Sequence, residues 1–456
     1  MKMALKEAAL VMNGTWQDAA PSGTASGASI DSREVAPGDL FFAIKGESQD
    51  GHQFVREAVG KGAAAAVCSR PVEGAGEGVI LVDDTSRALE QLAGFHRDAI
   101  DPIVVGITGS AGKTSTKDLV AAVARMKYST VAADRSYNSE TGVPLTILKC
   151  GVGTEVLVCE LGSRGIGHIR HLCEYVRPQV GIVTNVGKAH LEQFGGLEDV
   201  AKGKTELVEA LPEGGSAVLN ADDPLVVAMA GETGAQVRTF GTATLAWVKG
   251  NRLTVDPMGR PAFRITCQGS SVSVSLNSSG KHQMHNALAA AAAGIILGLS
   301  LDEIAEGLQK AAPTRWRMEV TTSAGVVLIN DAYNSNPTSL RGALDTAAGV
   351  AAGKKLIVVL GYMAELGEVE QEEQLNAGRL AASVASRLIV VGPRARAIAD
   401  GATQAGLADV AVVNDSAEAL NALSEVREGD VVLVKGSRIA GLESVVPALA
   451  ERLSTK

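Results

Sequence analysis

Aromatic residues are scarce in this chain of 456 residues, at 3% of the composition, whereas hydrophobic residues make up 46%. The core must therefore consist mainly of aliphatic and alanine side chains, as in many parallel α/β layers. A chain of this length exceeds one ordinary core, so we expect roughly two to three domains.

Cysteine is also rare, with five residues and no Cys-x-x-Cys spacing. An odd number of cysteines without the spacing of a disulfide framework indicates free thiols in a reducing compartment. The first residues lack the apolar region of a signal peptide, because Glu7 interrupts them. The longest apolar run, at 287–299, is too short to span a bilayer. We therefore expect a cytoplasmic protein without membrane insertion.

Basic tracts are absent from the sequence, and the formal net charge is −9. Nucleic-acid binding depends on a concentrated positive patch. We therefore expect no nucleic-acid partner.

Strand-like and helix-like segments alternate along most of the chain, which predicts an α/β protein of three domains. Residues 1–98 are predicted to form a small α/β unit, followed by a linker at 98–102. Residues 99–312 are predicted to form a central P-loop ATPase domain with a mostly parallel sheet, in which 245–280 are antiparallel strands or a hairpin. Residues 313–456 repeat the strand–helix rhythm and predict a Rossmann-like, doubly wound domain.

A Gly-rich segment, IVVGITGSAGKTSTKDL, follows an apolar strand pattern and precedes a helical one. Gly109 and Gly112 permit a tight turn whose N–H groups point at phosphate oxygens. Lys113 can reach the β and γ phosphates, and the Thr114 hydroxyl can ligate Mg²⁺. The alternative is an ordinary strand–helix turn, and Ile107 replaces the first Gly of the commonest P-loop pattern.

Three further side chains in the central domain are weaker candidates. Glu160 ends a predicted strand, where it can hold Mg²⁺ or be a solvated charge. His190 follows another strand and can be a metal ligand, a base or a structural residue. Lys204 lies on a predicted helix, and nothing in its spacing distinguishes it from a solvated lysine.

Two polar turns follow apolar strands in the third domain: NDAYNSNP at 330–337 and KGSR at 435–438. The carboxyl edge of a parallel sheet is the usual ligand edge. Such a turn can instead cap a helix.

Together these stretches resemble the Mur ligases over nearly the whole chain. The motifs that carry the resemblance are DSREVAPGDLFFAIKG, TGSAGKTSTKDL, SYNSETGVPLT, ELGSRGIGHI, TNVGKAHLEQFGG, RMEV, INDAYNSNPTSLRGAL and VKGSR. The family's loop is Thr-Gly-x-x-Gly-Lys-Thr/Ser, which residues 108–114 match, so Ile107 is no departure.

Within the family, the resemblance is to the enzymes that join D-Ala-D-Ala to UDP-N-acetylmuramoyl-tripeptide in peptidoglycan synthesis. It implies that ATP phosphorylates the tripeptide carboxylate and that the dipeptide amine attacks the acyl phosphate. It also implies two Mg²⁺ ions, a carbamylated lysine and a monomer.

The resemblance further implies the functional residues. The catalytic residues would be Lys113, Glu160, His190 and Lys204. The metal ligands would be Thr114, Glu160, His190 and Lys204, with Lys204 rather than Lys202 carbamylated. The ATP-binding residues would be Gly109, Ser110, Ala111, Gly112, Lys113, Thr114, Ser115, Asn286, Arg317 and Asp331. The residues that bind the UDP precursor and the dipeptide would be Ser32, Arg33, Asp50, Gly51, His52, Asn138, Thr141, Arg164, Tyr333, Asn334 and Asn336.

Departures from the family pattern fall in the third domain, where Tyr362 takes the place of the usual Asp, and Ile439 and Ala440 stand where the family varies but is often more polar. The ligase that adds the third peptide residue is an alternative, but NSNPTS at 334–339 differs from its Asp-Asn-Pro-Arg. Folylpolyglutamate synthases lack the first-domain motif. From other classes, a P-loop switch or motor and an inactive binding paralogue are further alternatives.

Overall fold

The computed structural model describes residues 1–46, 49–76, 78–134, 136–188 and 191–455. Within these ranges the strands form three large sheets and one two-stranded ribbon. All five cysteines are buried and unpaired. In the same ranges, no helix is both long enough and apolar enough to cross a bilayer.

The N-terminal unit is a small sheet with three helices. Its strands are β1 (Met3–Ala4), β2 (Thr15–Trp16), β3 (Thr24–Ala25), β4 (Gly27–Ser29), β5 (Asp39–Phe42), β6 (Ala65–Cys68) and β7 (Val79–Leu81). Its helices are α1 (Leu5–Val11), α2 (Val55–Gly60) and α3 (Thr85–Ile100). The sheet order is β2-β7-β6-β5-β4, with β4 to β7 parallel and β2 antiparallel at the edge.

Helix α3 extends into the segment that the sequence predicted as a linker at 98–102. The helix begins after Asp84, whose carboxylate accepts the first free N–H groups, and it ends at Asp101 in a left-handed conformation. Pro102 disfavours helical backbone at the residue before it, so the helix ends there. The linker prediction was therefore wrong for residues 98–100.

The central unit contains a nine-stranded sheet. Its strands are β8 (Ile103–Thr108), β9 (Thr130–Ala132), β10 (Val156–Glu160), β11 (Val180–Val183), β12 (Ser216–Asn220), β13 (Gln236–Gly241), β14 (Val248–Val255), β15 (Pro261–Cys267) and β16 (Ser270–Ser275). Its helices are α4 (Lys113–Ala124), α5 (Gly142–Leu148), α6 (His168–Val176), α7 (Leu191–Phe194), α8 (Leu197–Glu209), α9 (Pro224–Ala228), α10 (Gln283–Ile296) and α11 (Leu301–Lys310). The order is β16-β15-β14-β13-β12-β11-β8-β10-β9.

Both faces of the central sheet are buried, which explains why its parallel strands are nearly continuous apolar runs. Val105 and Ile107 pack with α4 and the alanine-rich α10 on one face. Val104 and Leu157 pack on the other face with α5, α6 and residues of the first unit. The antiparallel segment predicted at 245–280 is confirmed, because β14, β15 and β16 pair antiparallel.

The C-terminal unit is a six-stranded sheet covered on both faces. Its strands are β17 (Glu319–Ser323), β18 (Val326–Asp331), β19 (Leu356–Gly361), β20 (Arg387–Val391), β21 (Val410–Val413) and β22 (Val431–Lys435). Its helices are α12 (Pro337–Ala351), α13 (Glu370–Ala382), α14 (Arg396–Gln404), α15 (Ser416–Ala422) and α16 (Val445–Ser454). The order is β17-β18-β22-β19-β20-β21. Alternate residues of β19 face two separate cores, so the prediction of a doubly wound sheet is confirmed.

Candidate active site

The Gly-rich loop between β8 and α4 fits closely against neighbouring segments. Gly109 has φ +147°, and a Cβ atom there would lie 1.8 Å from Thr184 Oγ1. Gly112 has φ +82°, and a Cβ atom there would lie 2.5 Å from Asn286 Oδ1. Both positions therefore require glycine for conformation and for space.

The loop is also fixed to the segment that follows β11. The Ala111 N–H donates to Asn185 Oδ1 at 2.9 Å. The Ser110 hydroxyl donates to the Gly187 carbonyl at 3.0 Å, and the Gly187 N–H lies 2.9 Å from the same hydroxyl oxygen. These hydrogen bonds fix the conformation of the loop just before α4. The backbone N–H groups at the N-terminus of α4 can then face an anion.

Lys113, Thr114 and Glu160 meet at the start of α4. Lys113 Nζ donates to the Gly109 carbonyl at 2.7 Å, and loss of solvation lowers the pKa of the Lys113 ammonium. Thr114 Oγ1 donates to Glu160 Oε2 at 2.8 Å, and Asn138 Nδ2 donates to Glu160 Oε1 at 2.8 Å. A hydroxyl beside a carboxylate is the set of hard oxygen donors that suits Mg²⁺, so these two residues fit the predicted metal.

Lys204 and Lys202 lie on α8 in very different environments. Lys204 is 3% exposed, and burial, with a smaller contribution from the nearby Lys113 ammonium, lowers its pKa to about 7. The Lys202 side chain is 66% exposed, and its Nζ lies 3.0 Å from Asp199 Oδ1. Within the residues described, no carboxylate pairs with Lys204.

The remaining member of the predicted metal set, His190, lies outside the described residues. Among the residues that the structure does describe, no group of three or more His, Cys, Asp or Glu side chains is arranged to hold a metal. Thr114 and Glu160 are the two predicted ligands that are in direct contact.

Asp331 and Lys435 form a buried ion pair at the carboxyl edge of the third sheet. They lie opposite each other on the adjacent parallel strands β18 and β22, and Lys435 Nζ is 2.6 Å from Asp331 Oδ2. Lys435 Nζ also donates to the Asn334 carbonyl at 2.9 Å, and the Met318 N–H donates to Asp331 Oδ1 at 3.0 Å. The pair therefore fixes the polar turn that follows β18.

Arg317 connects this edge to the P-loop. Its guanidinium carbon lies 4.1 Å from the centre of the Tyr333 ring, and one of its terminal nitrogens donates to Ser136 Oγ at 3.4 Å. Ser136 Oγ in turn lies 3.0 Å from Thr114 Oγ1. In the described part of the chain, the buried Arg317 Nε has no hydrogen-bond partner. The neighbouring Asn336 caps α12 by accepting from the Ser339 N–H at 2.8 Å.

A cavity of about 890 Å³ joins the P-loop to the edge of the third sheet. The predicted residues that line it are Ser110, Ala111, Gly112, Lys113, Thr114, Ser115, Asn138, Glu160, Arg164, Asn286, Arg317, Asp331, Tyr333, Asn334 and Asn336. The described predicted residues that do not line it are Gly109, Thr141, Lys204, Ser32, Arg33, Asp50, Gly51 and His52. Cavity residues that the prediction omitted include Ser136, Thr184, Asp222 and His282, whereas Lys435 belongs to the polar turn that the sequence indicated at 435–438. Several of these omitted residues follow a strand, which is the signal that could have identified them.

The predicted first-domain residues lie apart from this cavity, in the segments that follow β4 and β5. Ser32 Oγ donates to Glu57 Oε2 at 2.9 Å. His52 Nδ1 lies 2.6 Å from Asp50 Oδ1, and an Arg70 nitrogen lies 2.7 Å from Asp50 Oδ2. The Asp50 carboxylate accepts hydrogen bonds from the His52 backbone N–H, which has the largest effect, and from the Arg70 guanidinium. These bonds hold the pKa of Asp50 far below its usual range.

Tyr362, one of the departures from the family pattern, lies outside the cavity lining, whereas Ile439 is part of it. Its hydroxyl donates to Glu370 and accepts from Arg394, and the Arg394 guanidinium lies 4.1 Å from the ring centre. Burial and the Glu370 carboxylate raise the pKa of Tyr362 to about 12.

Known proteins match this architecture along almost its whole length. Three family models match: "Mur ligase family, catalytic domain" over 24–97, "Mur ligase middle domain" over 107–294 and "Mur ligase, glutamate ligase domain" over 316–438. A UDP-N-acetylmuramoyl-tripeptide–D-alanyl-D-alanine ligase of Mycobacterium tuberculosis is 39% identical over 95% of this chain and 94% of its own length. The chain belongs to the Mur ligase family.

Solved structures of Mur ligases also resemble this Mur ligase over nearly its whole length. MurF from Acinetobacter baumannii superposes with a TM-score of 0.87 at 29% identity, covering 99% of both chains. MurF from Thermotoga maritima in complex with ADP has a TM-score of 0.81 at 29% identity, covering 94% of this Mur ligase and 98% of that chain. The resemblance that the sequence motifs indicated is therefore confirmed.

Proposed function

We propose that this Mur ligase joins D-Ala-D-Ala to UDP-N-acetylmuramoyl-tripeptide at the expense of ATP, in cytoplasmic synthesis of peptidoglycan precursors. The observation that carries the proposal is the similarity to ligases of that activity over 95% of the chain. It is supported by the cavity that joins a phosphate-binding loop to the ligand edge of a second sheet.

The reaction needs activation, because a carboxylate is a poor electrophile. The tripeptide carboxylate oxygen attacks the γ-phosphorus of ATP, which forms an acyl phosphate and releases ADP. The dipeptide amine then attacks the acyl carbon, and the tetrahedral intermediate expels phosphate and a proton to leave the amide. The first step brings two anions together, so the site must supply positive charge.

The residues around the P-loop supply that charge and the orientation. The N–H groups at the start of α4 and Lys113 would hold the β and γ phosphates. Arg317 would contact the γ-phosphate from the side of the third sheet, using its unpartnered Nε. Thr114 and Glu160 would hold Mg²⁺, which supplies charge neutralisation when bound. Asn286 and Asp331 would contact the adenosine part.

Lys204 is our choice for the carbamylated lysine. The ammonium first loses a proton, and the neutral amine then adds to CO₂ and loses a second proton. A cation is thereby replaced by a carbamate anion, which would be able to hold a second Mg²⁺. Three features disfavour a charged ammonium at Lys204. The side chain is buried, no carboxylate among the described residues pairs with it, and the Lys113 ammonium lies nearby. The exposed, paired Lys202 has none of these properties.

The predicted first-domain residues would bind the UDP part of the precursor. Ser32, Arg33 and the turn at 50–52 lie at the carboxyl ends of parallel strands, the usual ligand edge. Thr141 and Arg164 would contact the muramoyl-peptide part of the precursor. We further propose a monomer divided into domains at 1–98, 99–312 and 313–456.

Phosphate release tests the proposal directly. The assay contains ATP, Mg²⁺, UDP-N-acetylmuramoyl-tripeptide and D-Ala-D-Ala, and each component is omitted in turn. We expect release to require all four. Release without the dipeptide would favour an NTPase switch, and release with UDP-N-acetylmuramoyl-dipeptide plus lysine or diaminopimelate would favour the ligase that adds residue three.

A further inference from the structure

A strained turn at residues 314–317 connects the second unit to the third and carries Arg317. The Arg317 N–H donates to the Thr314 carbonyl at 3.1 Å, which closes the turn. Trp316 and Met318 have φ +58° and +51°. Residues with a side chain rarely adopt this left-handed conformation, so it persists only where the surrounding structure holds it. The shape of the turn therefore depends on contacts made outside it.

The third unit holds one side of the turn. The Met318 N–H donates to Asp331 Oδ1 at 3.0 Å, and the Tyr333 N–H donates to the Trp316 carbonyl at 3.2 Å. The Arg317 guanidinium lies over the Tyr333 ring, with 4.1 Å between the guanidinium carbon and the ring centre. These contacts fix the turn relative to the third sheet, but they do not set its distance from the P-loop.

The P-loop helix holds the other side. Among the residues described, two hydrogen bonds join the turn to the second unit. Asp118 on α4 accepts from the Thr314 hydroxyl at 2.6 Å, whereas an Arg317 nitrogen donates to Ser136 Oγ at 3.4 Å. The first bond is short and ends on a carboxylate, and the second is at the long end of the hydrogen-bond range. Asp118 is therefore the stronger attachment of the turn to the second unit.

The Asp118 carboxylate is itself fixed by Lys117. The Lys117 side chain is 1% exposed, its ammonium donates to the Ala133 carbonyl, and its Nζ lies 2.8 Å from Asp118 Oδ1. Thr314 occupies Oδ2, so both carboxylate oxygens are engaged. Asp118 also lies four residues after Thr114, on the same face of α4. The turn is thereby held one helical turn away from the residue that would bind Mg²⁺.

We propose that Asp118 is a positioning residue for the Arg317 guanidinium, which deepens the proposed function and rests on it. By holding Thr314 against α4, the Asp118 carboxylate keeps Arg317 within reach of the γ-phosphate beside Thr114. Arg317 and Thr114 line the cavity that joins the P-loop to the third sheet, whereas, of the described residues, Asp118 and Thr314 lie outside that lining. Asp118 therefore acts on the reaction through another residue.

Thr314→Val tests the proposal, because it removes the hydroxyl and leaves the pair of Asp118 with Lys117 intact. Calorimetry measures the affinity for ADP and for β,γ-methylene-ATP, which carries a γ-phosphate. We expect affinity for the methylene analogue to fall at least ten-fold, the size of one lost charge-assisted hydrogen bond, with ADP affinity within two-fold. Thr314→Ser keeps the hydroxyl and should bind both nucleotides normally. The exposed Thr322→Val on β17 is the matched control.

Combined variants test whether the effect passes through Arg317. Asp118→Ala should change the ratio of the two affinities as much as Thr314→Val does, and the double variant should change it no further. In an Arg317→Ala background, Thr314→Val should leave that ratio unchanged. In turnover, Thr314→Val should lower kcat at least ten-fold and keep KM for D-Ala-D-Ala within two-fold. Thermal melting verifies that each variant is folded.

An equal loss of affinity for ADP and for the methylene analogue would indicate a general disturbance of the P-loop and would overturn the proposal. A rise confined to KM for D-Ala-D-Ala would also overturn it, as would losses that add in the Arg317→Ala background. Failure of the proposed function is distinguishable. The unmodified enzyme would then release no phosphate in response to the dipeptide, while both nucleotide affinities could still be measured.

Discussion

Replacing Lys204 by alanine tests the proposed carbamate, and Lys202→Ala provides a control on the same helix. The two lysines are two positions apart, but Lys204 is 3% exposed whereas the Lys202 side chain is 66% exposed. If truncating a lysine side chain disturbs helix α8, both variants should lose activity. An effect of the proposed carbamate would appear only in Lys204→Ala.

The structure sets the expected magnitudes. Loss of one preorganised electrostatic group typically lowers kcat by about 10²–10³-fold, so Lys204→Ala should retain about 1% of activity or less. Lys202→Ala loses only a solvent-screened, exposed pair with Asp199, so its activity should stay within two-fold of that of the unmodified protein. Lys204→Met keeps most of the alkyl stem and removes a buried charge, so its melting temperature should be no lower than that of the unmodified protein. Its activity should be as low as that of Lys204→Ala.

The assay is phosphate release at saturating ATP, tripeptide nucleotide and D-Ala-D-Ala, repeated with acetate or propionate. A short carboxylic acid can enter the space left in Lys204→Ala and should restore part of the activity. It should have no effect on Lys204→Met, whose side chain fills that space. If Lys204→Ala keeps more than a tenth of the activity, or Lys202→Ala loses as much, the carbamylated lysine has been assigned incorrectly.

Four further substitutions test three other contacts. Gly112→Ala should weaken ADP binding at least ten-fold in titration calorimetry, because its Cβ would lie 2.5 Å from Asn286 Oδ1; unchanged affinity would contradict the close fit. Lys188→Ala removes the cation 2.7 Å from the largely buried Glu373 and should lower kcat several-fold, by loosening the contact between the second and third units. Adding Glu373→Gln should restore part of that loss, and simple additivity of the two changes would argue against coupling. Tyr362→Phe loses both hydroxyl contacts and should lower the free energy of unfolding in urea by about 1 kcal/mol, with kcat within two-fold; a large fall in kcat would implicate Tyr362 in substrate binding.

Local signals predicted the P-loop well. The strand, the glycines, the lysine and the helix follow one another within seventeen residues. Their arrangement therefore depends only on residues that are close in the sequence. Even there, the reason for Gly112 is not local, because the atom that excludes a side chain belongs to Asn286 on α10. The sequence indicated a glycine, and the tertiary contact explains it.

The Asp331–Lys435 pair shows why the rest of the site was harder to predict. The two residues are 104 positions apart and meet because β22 lies between β18 and β19. Hydrophobic periodicity identifies strands but does not give their order in a sheet. The same limit applies to Lys204, since burial on one helix face depends on what packs against α8. Family resemblance alone indicated that lysine.

The five buried cysteines offer a natural set of probes for the order of unfolding. Burial raises the pKa of Cys68 and Cys173 to about 12 and that of Cys150 to about 11, so few thiolates exist in the folded protein at neutral pH. Alkylation must therefore wait for local opening, and its rate at each position reports the opening of that segment. Cys68 reports on the first sheet, Cys159 on the centre of the second and Cys267 on its antiparallel extension. The C-terminal unit contains no cysteine and would unfold unlabelled.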